Sequence, residues 1–116
     1  HIVTTATINR LQELYPEGRF EVRRFRPNIV LRLGDGETGF VENAWVGRTV
    51  SIGEGVRVRI TAPCSRCVMT TLPQGDLPQD GGILRTAAKH NKTNVGVYGV
   101  VERSGRVRRG DPIQLV

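Results

Sequence analysis

With 116 residues, 38% hydrophobic and 24% charged, the chain has the composition of one small folded domain and not of a disordered tail. No apolar run reaches the ~20 residues of a membrane-spanning helix and no charged-then-apolar leader opens the sequence, so one soluble, cytoplasmic domain over residues 1–116 is expected. Seventeen basic residues against eleven acidic ones give +6, which favours anionic partners, and all but Lys89 and Lys92 of the seventeen are arginine. Coding base composition accounts for an arginine preference equally well.

Ile8, Leu11 and Leu14 recur at helical spacing after Thr4 and Thr5, and Pro16 and Gly18 stop the run, which predicts a short helix over 5–15. From Phe20 the period becomes two. Phe20 with Val22, and then Ile29 to Leu33, read as strands interrupted at Pro27. Gly34 to Gly39 reads as a loop and Ala44 to Ile52 as a further strand. Gly53-Glu54-Gly55 predicts a hairpin turn, after which Val56, Val58 and Ile60 alternate with Arg57 and Arg59. Val68 to Leu72 reads as extended, followed by a long Pro/Gly loop. Ile83 to Ala88 predicts a second helix with Lys89 and His90 in its last turn, where positive charge suits the dipole. Val95 to Val101 reads as a strand, Ser104-Gly105 as its turn, and Val107 with Ile113 to Val116 as the closing strands. Arg106, Arg108 and Arg109 then fall on the outer face of a strand. Many short strands, Gly-rich turns and two peripheral helices predict a mainly β fold, a small β-barrel.

The two cysteines frame Cys64-Ser65-Arg66-Cys67 directly after the amphipathic strand. Four roles compete. A zinc site wants further ligands, and only His1 and His90 offer nitrogen. A redox pair should open a helix, whereas Val68-Met69-Thr70-Thr71 is β-type. Buried structural thiols form the third role. The fourth is a thiolate ligand to a soft metal centre, with Arg66 lowering the thiol pKa.

Thr70-Thr71 after this motif, Arg24-Phe25-Arg26-Pro27-Asn28-Ile29-Val30 upstream and Gly110-Asp111-Pro112 at the end give the chain a resemblance to the MOSC domain, the C-terminal domain of molybdenum-cofactor sulfurases. It extends over essentially the whole chain. The relatives include the mitochondrial amidoxime-reducing component and bacterial reductases of N-hydroxylated compounds. The resemblance implies a barrel that holds a molybdopterin-type molybdenum cofactor in an oxidoreductase reducing N-hydroxylated or N-oxygenated substrates. It implies Cys67 as metal ligand and catalytic residue, Arg66 against the cofactor, and Arg26 and Asn28 on the pterin and its phosphate. Thr4, Thr5, Ala6 and Thr7 match the segment at the first helix start that also holds the cofactor, and Tyr98 matches an aromatic near the metal. Pyridoxal phosphate binding is associated with the family as well. Phosphate and dithiolene call for arginine and an anion site, which the N–H groups of a helix start and the hydroxyls of Thr4, Thr5 and Thr7 can supply.

Many relatives carry an acid six positions after the ligating cysteine, where this chain has Pro73, the nearest acids being Asp76 and Asp80. Relatives also place further strands before the first helix, whereas here His1 stands almost against it. The expectation is therefore a barrel incomplete at its start, a homodimer that closes it, and cofactor held weakly or not at all by this chain alone. A small-molecule substrate and a separate electron-donor protein are the expected partners, with no membrane and no nucleic acid. Two other functions compete: a sulfur or cofactor carrier using Cys64 or Cys67, and a basic nucleic-acid-binding barrel, which the scarcity of aromatics disfavours.

Overall fold

The hairpin turn at 53–55 joins strands β3 (Thr49–Ile52) and β4 (Val56–Ser65). The alternation expected of β4 holds, with Val56, Val58 and Ile60 buried and Arg57 and Arg59 exposed. The computed structural model describes residues 1–33 and 37–116, so Gly34, Asp35 and Gly36 of the expected 34–39 loop lie outside the described residues.

Four more strands extend this hairpin into one sheet. They are β1 (Ile2–Thr4), β2 (Ile29–Leu31), β5 (Asn94–Arg103) and β6 (Ile113–Leu115), and the sheet order is β2-β1-β5-β4-β3-β6. Only β1 and β2 run parallel, with Ile2 beside Ile29 and Thr4 beside Leu31. The β4–β5 ladder shifts register at three places, which bends both strands. The sheet curls into a half-barrel, mainly β and incomplete as expected, with β2 and β6 at its edges among the described residues.

Two helices flank it, α1 (Thr5–Leu14) and α2 (Gly82–Asn91). Thr4 caps α1, its Oγ1 accepting from the Thr7 amide at 3.2 Å. Helix α2 ends at Lys92 in a left-handed conformation, with Lys89 and His90 in its last turn as expected.

Two cores result. Inside the curl lie Ile2, Leu31, Val50, Ile52, Val58, Ile60 and Val97. Between sheet and helices lie Val3, Leu11, Phe20, Phe25, Ile83 and Val95. Each such side chain contributes about 1.5–3 kcal/mol on burial. Val95 and Val97 would share a face in a regular strand, yet they enter different cores. Gly96 between them has φ +82°, and a Cβ there would meet the Ile2 carbonyl at 2.5 Å. Only glycine admits both the conformation and the approach of β1.

Several strand expectations are corrected. Phe20 and Val22 form no strand: Phe20 is buried in the second core and Val22–Arg24 is a 3-10 turn. Within 44–52 only Thr49–Ile52 is a strand, because Val41–Trp45 turns as 3-10 to bring Glu42 inward. Val68–Thr71 is likewise a 3-10 turn and not extended, since threonine hydroxyls take up main-chain carbonyls there. Val107 and its neighbouring arginines lie outside any strand, so Arg106, Arg108 and Arg109 are exposed on a loop.

Arg24, 1% exposed, fastens the long loop to the fold. Its guanidinium donates to the carbonyls of Arg19, Thr70 and Pro78 at 2.7, 3.2 and 2.9 Å.

Candidate functional site

Strand β4 ends in the cysteine motif, and its two thiols enter different surroundings. Cys64 is buried and Cys67 exposed, and neither forms a disulfide. Cys67 opens the 68–71 turn in an extended conformation. Its carbonyl accepts from the Thr70 amide at 3.2 Å and the Thr70 hydroxyl at 3.0 Å, while Thr71 Oγ1 donates to the Val68 carbonyl at 2.6 Å. The Thr-Thr pair therefore fixes the loop that presents Cys67.

Arg66 turns inward between them. Its Nε and Nη2 donate to the Val95 carbonyl at 3.1 and 2.9 Å, and its Nη1 to the Phe25 carbonyl at 2.7 Å. The guanidinium also lies over the Phe25 ring, 5.5 Å from the centroid, and against the His1 imidazole. Burial pushes Arg66 below the usual arginine value, partly offset by Cys64, Tyr98 and Cys67. It forms no salt bridge with any described carboxylate.

Tyr98, 47% exposed, stands on β5 with its ring 6.0 Å from that of His1. Cys64 beside it raises the phenol above its ordinary value, first through hydrogen bonding and then through charge. The main-chain nitrogen of His1 donates to Asn28 Oδ1 at 2.9 Å, and the Asn28 amide donates to the His1 carbonyl at 3.0 Å. Arg26 is exposed with φ +51°, left-handed although it is not glycine and precedes proline. Such a conformation costs roughly 1–3 kcal/mol and concentrates at functional positions. Arg66, Tyr98, Asn28 and the ends of the cysteine motif thus meet at the His1 end of β1.

The threonine segment lies at the other end of β1, about 10 Å away for three strand residues. There the fold turns a carboxyl inward. Fully buried Glu42 accepts from the Thr4 amide at 2.9 Å, from the Thr4 hydroxyl at 3.0 Å and from the Thr7 hydroxyl. The hydroxyls of Thr4 and Thr7, expected to face a ligand, donate to this side chain instead, and Ala6 is buried. Thr5 alone of the four is half-exposed. Its Oγ1 accepts from the Leu33 amide at 3.2 Å, and it borders two open cavities. One, of about 540 Å³, runs between β2 and the approach to β6 and is flanked by Arg32 and Arg109.

Sequence reasoning overlooked Glu42, named Arg24 only within the upstream motif, and gave His1 no role beyond a nitrogen donor for zinc. Glu42 lies in Phe40-Val41-Glu42-Asn43-Ala44-Trp45, where one acid among apolar residues was the available signal. Among the described residues no three His, Cys, Asp or Glu side chains converge to hold a metal ion, so a zinc site of the usual ligand count is not built. The Gly110-Asp111-Pro112 motif serves a turn. Asp111 Oδ2 accepts from the Arg108 amide at 2.8 Å, and the Pro112 carbonyl accepts from the Gly53 amide at 2.8 Å.

The MOSC domain family model matches residues 1–114. Among solved structures, YiiM from Geobacillus stearothermophilus is similar at a TM-score of 0.65 and 22% identity, over 99% of this chain and 52% of that one. At that identity the likeness speaks to the fold, and this chain spans about half of the YiiM length. No curated protein matches.

Proposed function

The chain belongs to the MOSC domain family, which is associated with the molybdenum cofactor, and from that premise we propose that it is the cofactor-binding domain of an oxidoreductase, with Cys67 as metal ligand. The observation that carries the reading is one exposed thiol beside an arginine that has no carboxylate partner among the described residues. A centre that brings its own dithiolene needs one protein sulfur, not the cluster of ligands a bare ion requires. Cys67 supplies that soft donor. Arg66 faces the anionic group with a charge already desolvated, and its anchorage to Val95 and Phe25 fixes the motif's shape. Arg26 and Asn28 are exposed on the same corner, where they hold the pterin edge and phosphate. Tyr98 borders the metal side. Among the threonines, Thr5 retains access, and Thr4 and Thr7 shape the segment through Glu42.

When bound, the group supplies two-electron oxygen transfer, here the reduction of an N-hydroxylated or N-oxygenated small molecule with electrons from a separate protein. This chain's residues bind, orient and balance charge. The edges of β2 and β6, without a neighbouring strand among the described residues, fit a homodimer that completes the barrel, to be read by light scattering.

The test is molybdenum content and the fluorescence of oxidised pterin on protein made in a cofactor-producing host. Cys67→Ser should lose metal and keep part of the pterin, while Cys64→Ser keeps both. Equal metal loss in the two variants overturns the single-ligand assignment. The exposure of Cys67 also suits sulfur carriage, which predicts a Cys67 persulfide on protein that carries no pterin.

A further inference from the structure

We propose that the outer face of β4 and β5 docks an acidic protein surface, an assignment that stands independently of the cofactor reading. Residues 46–63 and 98–110 hold seven arginines and two glutamates, net +5 of the chain's +6. They form the β3–β4 hairpin, the outer half of β5 and the loop that follows.

Arg57 and Arg59 project from the exposed face of β4, and Arg103 stands directly across from Arg57 on β5. Like charges facing each other across a ladder repel. None of the three forms a salt bridge with a described carboxylate, and Glu102 beside them accepts from Thr49 Oγ1 at 2.9 Å instead. The ion pairs among the described residues all lie elsewhere: Arg19 and Arg23 share Glu21 and Asp76, and Arg10 meets Glu13. Uncompensated positive charge is thus a property of this face.

Its apolar content decides between two polyanions. Val100, directly across from outward-facing Arg59, is 50% exposed, and Val107 on the loop that follows is 45% exposed. Single-stranded nucleic acid asks for several aromatic stacking platforms, and this region offers Tyr98 alone. Exposed valines rimmed by arginine are instead the composition of a protein–protein contact, where arginine and apolar groups share the centre. The partner that fits presents carboxylates around an apolar patch.

The probe is a short peptide alternating glutamate with leucine, titrated into the labelled chain and followed by amide shifts. Shifts should centre on Arg57, Arg59, Val100 and Arg103, and affinity should fall as salt rises. Arg57→Glu with Arg59→Glu should weaken binding about tenfold or more at unchanged melting temperature, with the paired glutamines as the milder variant. Arg85→Glu, on α2, should change it less than about twofold. Val100→Ser with Val107→Ser should remove the preference for this peptide over polyglutamate. Shifts centred on another face, or equal losses in the β4 and α2 variants, overturn the proposal. Tighter binding of a DNA duplex of matched charge overturns it too and gives the face to nucleic acid.

Discussion

The Arg66 guanidinium lies 5.5 Å from the centroid of the Phe25 ring while its Nη1 donates to the Phe25 carbonyl at 2.7 Å, so the ring face and backbone of one residue hold the same cation. Its other nitrogens reach the Val95 carbonyl on β5. One planar fork therefore joins the cysteine motif, the segment before β2 and the start of β5. Lysine keeps the charge but not the fork. Arg66→Lys should lower stability by about 1–3 kcal/mol in urea unfolding. A change under about 0.5 kcal/mol, the range of ordinary surface substitutions, would show that charge alone holds the corner.

Glu42 is the acceptor on which the α1 start depends. Glu42→Ala leaves the Thr4 amide and the hydroxyls of Thr4 and Thr7 facing an apolar void. The loss should be about 2–4 kcal/mol, since unpaired buried donors cost ~1–3 kcal/mol each and relaxation recovers part. Glu42→Gln, which retains one acceptor oxygen, should fall between alanine and wild type. Calorimetry on the series reads the order directly, and a glutamine as damaging as alanine would point to charge over hydrogen bonding.

Asp76 gives acid sensitivity a definite window. Hydrogen bonds first from Arg23 and then from Arg19 hold its carboxyl at about 2, below the ordinary 3.8. A depressed folded-state value means that the contribution is fully present above the unfolded value and lost as pH falls through the folded one. The stability gap between wild type and Asp76→Asn should thus be constant above about pH 5 and close between about pH 4 and pH 2. Salt should narrow it, because the carboxyl and both arginines are exposed. A gap that persists at the acid end would mean that the ionised carboxyl is not its source.

What could be read from the sequence divides along local and distant causes. The Val56–Ile60 alternation, the 53–55 turn and both helices are set by neighbours in sequence and are found where expected. The strands expected over 20–22 and 44–48 are absent because distant partners override β-propensity, and that over 68–72 because Thr70 and Thr71 bond carbonyls three residues back. Glu42 must turn in to meet Thr4 and Thr7, and Arg24 must reach Thr70 and Pro78, and no periodicity records either demand. The same holds for the site. The cysteine motif with Arg66 was legible as a contiguous string, while the separation of the threonine segment from Arg26 and Asn28 follows from the parallel register of β1 and β2.

The two thiols should separate by reactivity in the native protein. Cys64, 2% exposed, is shielded within the fold at the end of β4, whereas Cys67 stands exposed at the head of its turn. Thiol modification requires access as well as thiolate, so iodoacetamide should label Cys67 at the rate of an open thiol and Cys64 only through opening of the fold. Mass spectrometry should find a single adduct, at Cys67, until denaturant is added, and two adducts afterwards. Substitution should divide them the same way. Cys67→Ser exchanges one exposed group for another and should leave the melting temperature within about a degree or two, whereas Cys64→Ser changes a buried side chain at a cost of about 1–3 kcal/mol. Arg66 separates the effects mechanically, because its bonds to Val95 and Phe25 fix the chain between the two sulfurs. Arg66→Ala should therefore raise the native labelling rate of Cys64 far more than that of Cys67. Equal labelling of both cysteines in the unmutated native protein would mean that the motif opens as a unit, and the division between a buried and a presented thiol would fall with it.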